Sequence, residues 1–376
     1  MLIQIHMLQN YAPANLNRDD TGSPKDAVFG GIRRGRISSQ CLKRSIRRSE
    51  TFQHAFATSG LLGMRTKTLP LKLQNSLEAA GADPAAVQAI LKRVQEIGRE
   101  SSKGESGEAG KAEAEDEMAL GQTKQLIFIG QNERAPMAYK LLAIYKNLGP
   151  EKWKKAKIGD ITKELGASLP RSVDIAMFGR MTTSEAFEDV YAAVQVAHAI
   201  STNALAEEFD YYTAVDDLSG ESGAGMIGDV EFNSSTYYKY INVHWEKLVE
   251  NLGGDKETAC QAVLALIEAA ATEHPSGKQN SFAAFNLPDV VLVEVSERNL
   301  PVSYTNAFLK PARANGQATL VEAAEKQLAE HMQRLIKTFN LQGKRAYLTT
   351  LDSELPQAEA MPSMRDLQNW VVGQVS

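Results

Sequence analysis

Cysteine is nearly missing: Cys41 and Cys260 are the two present in 376 residues, too few for a disulfide framework and not spaced as metal ligands. The chain must fold on an apolar core, which its length and 43% hydrophobic content permit, and a reducing cytoplasm suits it. Long hydrophobic runs are also missing. The most apolar helical stretch, Ala262 to Ala271, is short and carries Glu268, and no basic N-terminal region precedes an apolar core, so neither secretion nor membrane insertion is expected. The six histidines, among them His6, His54, His198 and His274, show no ligand or relay spacing, and no glycine-rich phosphate loop of the Walker type occurs. We expect neither a metal nor a cofactor. Excess positive charge is missing too: the net charge is −5, which argues against an indiscriminate nucleic-acid binder.

Against that acidic background, one stretch stands out. From Arg33 to Arg48 the chain carries seven positive charges and no negative one, whereas solvated faces usually mix signs. It reads as a site for a polyanion. A glycine-broken basic loop, Gly30 to Arg36, leads into a helix that Ser38 or Ser39 can cap. On that helix Lys43 and Arg47 share one face, Arg44 and Arg48 another, and Leu42 and Ile46 supply the docking side. Like charges at this spacing repel by a few tenths of a kcal/mol (~0.2–0.5), a cost that reverses once a phosphate lies between them. The helix N-terminus attracts phosphate oxygens, and Ser38, Ser39 and Gln40 stand there with hydroxyls and an amide. Acidic residues gather instead in Glu105 to Glu117 and the C-terminal third. A basic stripe on an acidic body holds one strand and discourages binding elsewhere.

Periodicity gives the coarse organisation. Ile3, Ile5 and Met7 alternate with Gln4 and His6, the pattern of a half-buried strand. From about Gly60 to Pro170 the pattern turns helical, interrupted by the small-polar stretch Ser101 to Gly110, read as a flexible surface loop. Arg171 to Met177 reads as a strand and Ser184 to Ile200 as a helix. Leu218 to Gly225 is a glycine-rich reversal between Tyr212 and the aromatic strand Phe232 to Trp245, which suits a projecting hairpin. Asp255 caps a helix that ends before Pro275, Val290 to Val295 is a buried strand, and Thr319 to Glu322 is a capping box opening a long helix. The fold class is α+β, discontinuous along the chain, without a repeat period. No RNA-stacking signature of an ordinary RRM sheet is present, so backbone tracking by the basic loop and helix is the expected mode. Phosphate contacts position a strand without reading its sequence.

The motifs also carry a resemblance. Leu16 to Asp20, Pro24 to Gly31, Arg36 to Gln40 with Leu42 to Arg44, Val173 to Ala176, Gly179-Arg180-Met181 with Thr183-Ser184, His198 to Ile200, Thr213 to Leu218 and Ala283 to Asn286 resemble the CasC-type backbone subunit of the type I-E CRISPR Cascade complex. The match runs from the N-terminus to Met361-Pro362 and is weakest between about Thr51 and Arg171. It implies a protein without chemistry of its own, copies of which line up along one CRISPR RNA and present its spacer to target DNA alongside other Cascade subunits. The implied fold is an RRM-like (ferredoxin-like) palm over residues 1–58, 171–200 and 231–376, with a helical fingers region at 59–170 and a thumb hairpin at 201–230.

Residue by residue, the resemblance implies that Arg18, Lys25, Arg33, Arg34 and Arg36 line an RNA groove. Ser38, Ser39, Gln40, Lys43 and Arg47 would grip phosphates, with Arg44 beside them. Met181, with Arg180, looks like the wedge between bases; on its own terms Met181 reads equally as core filler. Ser201, Thr202 and Asn203 would begin the thumb. Lys152, Lys154, Lys155 and Lys157 would face DNA, although an exposed lysine-rich helix end accounts for them as well. Two other functions fit parts of the sequence. Asp19, Asp20 and Asp26, or Asp216 and Asp217, are carboxylates of the kind that hold Mg²⁺ in a nuclease, as in type III backbone subunits. A general single-strand RNA chaperone would bind any RNA as a monomer.

Overall fold

The computed structural model describes residues 1–97, 121–123, 126–166, 171–181, 186–187, 189–215 and 224–375. The expected loop at Ser101 to Gly110, the acidic stretch Glu105 to Glu117, Thr183, Ser184, Asp216, Asp217 and the reversal at 218–223 lie outside the described residues.

The strands are β1 (Leu2–Ala14), β2 (Asp26–Phe29), β3 (Ile32–Ile37), β4 (Gly63–Thr66), β5 (Ile127–Gly130), β6 (Val194–Val196), β7 (Ala199–Ser201), β8 (Glu208–Val215), β9 (Ala224–His244), β10 (Val290–Ser296), β11 (Lys344–Thr349) and β12 (Glu359–Ala360). The helices are α1 (Ser39–Arg48), α2 (Glu50–Ala55), α3 (Leu69–Ala79), α4 (Pro84–Val94), α5 (Gln131–Lys155), α6 (Ile158–Gly166), α7 (Val173–Phe178), α8 (Trp245–Asn251), α9 (Lys256–Thr272), α10 (Gln279–Phe282), α11 (Leu320–Phe339) and α12 (Met364–Val375). The class is α+β. The chain divides into two compact units, residues 1–53, 194–246 and 260–376 in the first, 54–193 and 247–259 in the second.

The first unit is built on one mixed sheet in the order β12-β11-β10-β1-β9-β7-β3-β2, with β6 and β8 also paired to β9. Among the described residues only the β11–β12 pairing is parallel. β1 sits in the middle, antiparallel to β9 and β10. Its alternation suggested one wet face, but both sets of side chains are buried. Ile3, Ile5 and Met7 are enclosed on one side, and Gln4 and His6 on the other. The polar pair is tolerated because each group is matched: Gln4 Oε1 accepts from Tyr240 Oη and the Val302 N–H, both at 2.7 Å. The His6 ring nitrogens lie 2.7 Å from Tyr238 Oη and 3.1 Å from a Glu294 carboxylate oxygen, and Arg345 Nε donates to the other Glu294 oxygen. Buried polar groups persist only when paired this way.

Helix α11 closes that face. Thr319 Oγ1 accepts from the Glu322 N–H at 3.4 Å while Glu322 Oε2 accepts from the Thr319 N–H at 2.6 Å, the expected capping box. Leu328, Met332 and Ile336 pack with Leu8, Tyr238, Tyr240 and Leu292. Beyond the core, β8 pairs with the first half of β9 as a two-stranded arm that exposes Phe209, Tyr211, Met226 and Ile227.

The expected basic loop is a hairpin instead. β2 and β3 pair from Asp26↔Gly35 to Phe29↔Ile32, and Gly30 and Gly31 turn it with φ of 59° and 79°. Two positive φ values make the tight turn whose twist matches the strands, and side-chain-bearing residues rarely adopt them. Three of the seven charges, Arg33, Arg34 and Arg36, fall in β3 and obscured it, because no apolar alternation accompanies them.

The second unit holds the β4–β5 ladder and packs α3, α4, α5 and α6 around Leu73, Ile90, Leu141 and Trp153. The segment Arg171 to Met177, expected as a strand, contains the helix α7. Residues 173–177 are all buried, so its apolar run has no period to betray a helix. Asp174 Oδ1 accepts from the Gly63 and Ile175 N–H groups and from Ser172 Oγ. The helix expected over Ser184 to Ile200 is likewise replaced, in its described part, by β6 and β7, which pair with β9. Ladder bonds to a distant strand outweigh the local helical spacing of Val190, Val194 and Ala197. Residues 171–193 group with this second unit. No helix among the described residues is long and apolar enough to cross a membrane.

Candidate nucleic-acid interface

On the first unit, α1 follows β3 directly and begins where the sequence placed it. Ser38 is its N-cap, with Oγ accepting from the Cys41 N–H at 3.2 Å, and Leu42 and Ile46 are its buried side. Docking that side turns the cations outward in two groups. Arg44 and Arg48 line a groove of about 820 Å³ with Arg18, and Asp19, Asp20 and Glu273 share it, so this group mixes signs.

The other group is purely cationic. Lys25, Arg36 and Lys43 all act electrostatically on His198, which β7's approach brings from 159 residues away to the helix N-terminus. His198 Nδ1 accepts from the Ser39 N–H at 3.2 Å and lies 3.4 Å from Arg36 Nη1. Burial first, then Arg36, Lys25 and Lys43, holds the imidazole pKa below its ordinary value. Three cations acting on one imidazole mark a place that favours an anion. Lys43 is half-buried, and burial lowers its pKa. Gln40 is exposed, Ser39 and Arg47 are half-exposed, and Ser38 is buried in the cap.

Other expected groove residues are committed elsewhere. Arg34 is buried inside the fold: Nη1 donates to the carbonyls of Ser201, Thr202 and Asn203, and Nη2 to those of Phe308 and Leu309. It ties the hairpin to two distant segments and does not line a groove. Arg33 is exposed but pairs with Asp26 at 2.5 Å and Glu207 at 2.6 Å, so its charge is largely answered. Ser201 and Thr202 are fully buried; Ser201 Oγ accepts from the Gly35 N–H and donates to the Asn203 carbonyl, and the Thr202 N–H donates to the Thr236 carbonyl while its own carbonyl accepts from the Ala312 N–H. Neither faces solvent as an RNA-gripping residue would.

On the second unit, Arg180 is also internal. Its Nη1 donates to both Glu133 oxygens at 2.8 Å, and the guanidinium lies 5.0 Å from the Phe187 ring centre. Its neighbour is the opposite. Met181 is 94% exposed, which removes the core-filler reading. Gly179 makes this possible: its φ is 80°, and a Cβ there would stand 2.8 Å from the Val190 carbonyl. Arg180 and Val190 exchange backbone hydrogen bonds, anchoring the turn that holds Met181 out. Lys152, Lys154, Lys155 and Lys157 are all exposed, the first three in the last turn of α5. Cations there complement the helix dipole, and Arg93 caps the same end through the carbonyls of Trp153, Lys154 and Ala156.

A family profile described as CT1975-like protein matches residues 3–371. The chain belongs to the CT1975-like family. Two solved chains are similar to this CT1975-like protein over the full length of both partners. One, from a structure described as a CRISPR RNA-guided surveillance complex, pre-nicking, superposes with a TM-score of 0.80 at 29% identity. Another, from a CRISPR RNA-guided surveillance complex, gives 0.64 at 25% identity. No curated protein matches by sequence.

The CT1975-like chain thus presents a compact cationic cluster, Lys25, Arg36 and Lys43 about His198, and a separate exposed methionine. Histidine spacing alone did not point to His198; its signal was its place in the His198-Ala199-Ile200 motif.

Proposed function

We propose that this protein is the CasC-type backbone subunit of a type I-E CRISPR Cascade surveillance complex, binding the CRISPR RNA along its phosphates and presenting the spacer for pairing with target DNA. The observation that carries this is the all-cation cluster at the N-terminus of α1, on a chain that matches subunits of CRISPR RNA-guided surveillance complexes from end to end. Lys25, Lys43, Arg36 and the helix N-terminus hold the backbone, and Met181 wedges between bases. Because the cluster reads phosphates and not base edges, any spacer is held equally.

The first unit is the palm. Within its sheet the strands β10-β1-β9-β6 run antiparallel, the strand order of an RRM-like core, but α11 covers one face, so the RNA lies along the hairpin and helix rather than on the sheet. The second unit supplies the fingers, and the β8–β9 arm is the thumb. Copies of the chain line up on one guide in the cytoplasm, beside other Cascade subunits, with Lys152 to Lys157 available for loose steering of DNA.

The role is non-catalytic. Asp19 is absorbed in a local turn, its Oδ1 accepting from the Thr21 and Ser23 N–H groups and Thr21 Oγ1, and Asp26 is paired with Arg33. Both arrangements support a structural use of these carboxylates over Mg²⁺ chemistry. The test is co-purification of the tagged protein expressed with a CRISPR array, with RNA sequencing and particle mass. Uniform spacer-containing RNA in a multi-subunit particle is expected; heterogeneous RNA on a monomer, or its magnesium-dependent loss, would sink the proposal.

A further inference from the structure

The second unit carries another cationic hollow, of about 620 Å³, lined by Ser59, Lys72, Asn75, Ser76, Gln131 and Arg134 among others, with no carboxylate in its described lining. Lys72, Asn75 and Ser76 project from one face of α3 at i, i+3 and i+4. Arg134 enters from the first turn of α5. Its Nε–H is buried without an acceptor, and its recorded side-chain hydrogen bond is from Nη2 to the Met64 sulfur at 3.0 Å. A thioether is a weak acceptor. Among the described residues neither Lys72 nor Arg134 has an ion-pair partner. The guanidinium is half-buried, which lowers its pKa, and among the described residues no carboxylate answers it.

We propose that this hollow is a second phosphate-binding pocket, taking a phosphate group of a nucleic-acid strand. The guanidinium fork matches a phosphate's oxygens, the exposed Lys72 ammonium adds a point charge, and the amides and hydroxyls of Asn75, Gln131 and Ser76 supply neutral donors. A hollow of this volume admits a nucleotide unit, more than one carboxylate would fill. That the phosphate comes from a strand rests on the function proposed above; the anion site itself does not.

The test uses the full chain in the Lys25→Gln, Arg36→Gln, Lys43→Gln background, which removes the charges of the first cluster. Inorganic phosphate and a 5′-phosphorylated single-stranded DNA are titrated by calorimetry, with unfolding followed at constant ionic strength. Phosphate a hundredfold above its Kd should raise the folded-to-unfolded ratio about a hundredfold. The oligonucleotide should bind at the same site and tighter, and Lys72→Ala with Arg134→Met should abolish both responses. Arg134→Met removes an unanswered charge and should keep its fold; if it does not, exposed Lys72→Ala alone carries the test through a weakened response. Equal responses with and without these changes overturn the site, and binding of free phosphate with no competition from the strand overturns the strand assignment. Failure of guide RNA to co-purify with the unaltered protein would refute the proposed function while leaving the phosphate response intact.

Discussion

Replacing Lys25 and Lys43 with glutamine tests whether the cluster around His198 holds RNA by charge. Both ammonium groups lie close enough to His198 to lower its pKa, and neither forms an ion pair among the described residues, so each is free to displace one counterion from a phosphate. For a single strand each such contact contributes about 0.7 to the slope of log affinity against log salt. Losing two lowers the slope by about 1.4. Between 50 and 200 mM salt, as round values, a fourfold change, the wild type should therefore lose roughly sevenfold more affinity than the variant. The assay is fluorescence anisotropy with an RNA too short to seat a second copy, at four salt concentrations and with two unrelated sequences. The drop should be the same for both sequences, since no base edge is read. A weakened affinity with an unchanged slope would refute the reasoning, because it would mean lost packing rather than lost phosphate contacts.

Met181→Ala should leave the unfolding free energy from urea titration within about 0.5 kcal/mol of wild type, as an exposed side chain requires, yet change the fluorescence of a 2-aminopurine placed in the bound RNA; a large stability loss with unchanged fluorescence would return Met181 to the core. Lys239 is buried with Nζ donating to the Ala270 carbonyl, and burial pulls its pKa down to about 7. The unfolded lysine keeps its proton to about pH 10 while the folded one releases it, so stability should rise from pH 7 toward 10 by up to about 1.4 kcal/mol per unit. Lys239→Met should flatten that rise in urea unfolding at pH 7, 8 and 9, and an identical slope would show that the group stays charged. Thr319→Ala should cost about 1 kcal/mol through loss of the α11 cap, read as a lower urea midpoint at constant m.

The parts of the fold legible in the sequence are those held by neighbours along the chain. Ser38 caps α1, Leu42 and Ile46 dock it, Asp255 accepts from the Thr258 N–H at the start of α9, and Thr319 with Glu322 opens α11. β10 reads as buried because Val290 to Val293 form an unbroken apolar run. Failures came where a segment is enclosed on all sides or answered from afar. α7 lost its period to complete burial, and β6 and β7 are strands because β9, and for β7 also β3, lies alongside.

The candidate site divides in the same way. That a polyanion meets this chain at α1 and its approach was written in the unmixed charge from Arg33 to Arg48. Which of those charges remain available was not, since Arg34 is answered by carbonyls more than 160 residues away, Arg33 by Glu207 in addition to Asp26, and Arg180 by Glu133. Likewise the sequence left Met181 equally readable as wedge or core filler, and only the turn at Gly179, closed against the carbonyl of Val190, left it in solvent. Caps, periodicity and charge runs act over a turn or two and belong to the sequence. Burial and ion pairing depend on which distant segments the sheet brings together, and tertiary structure alone decided them.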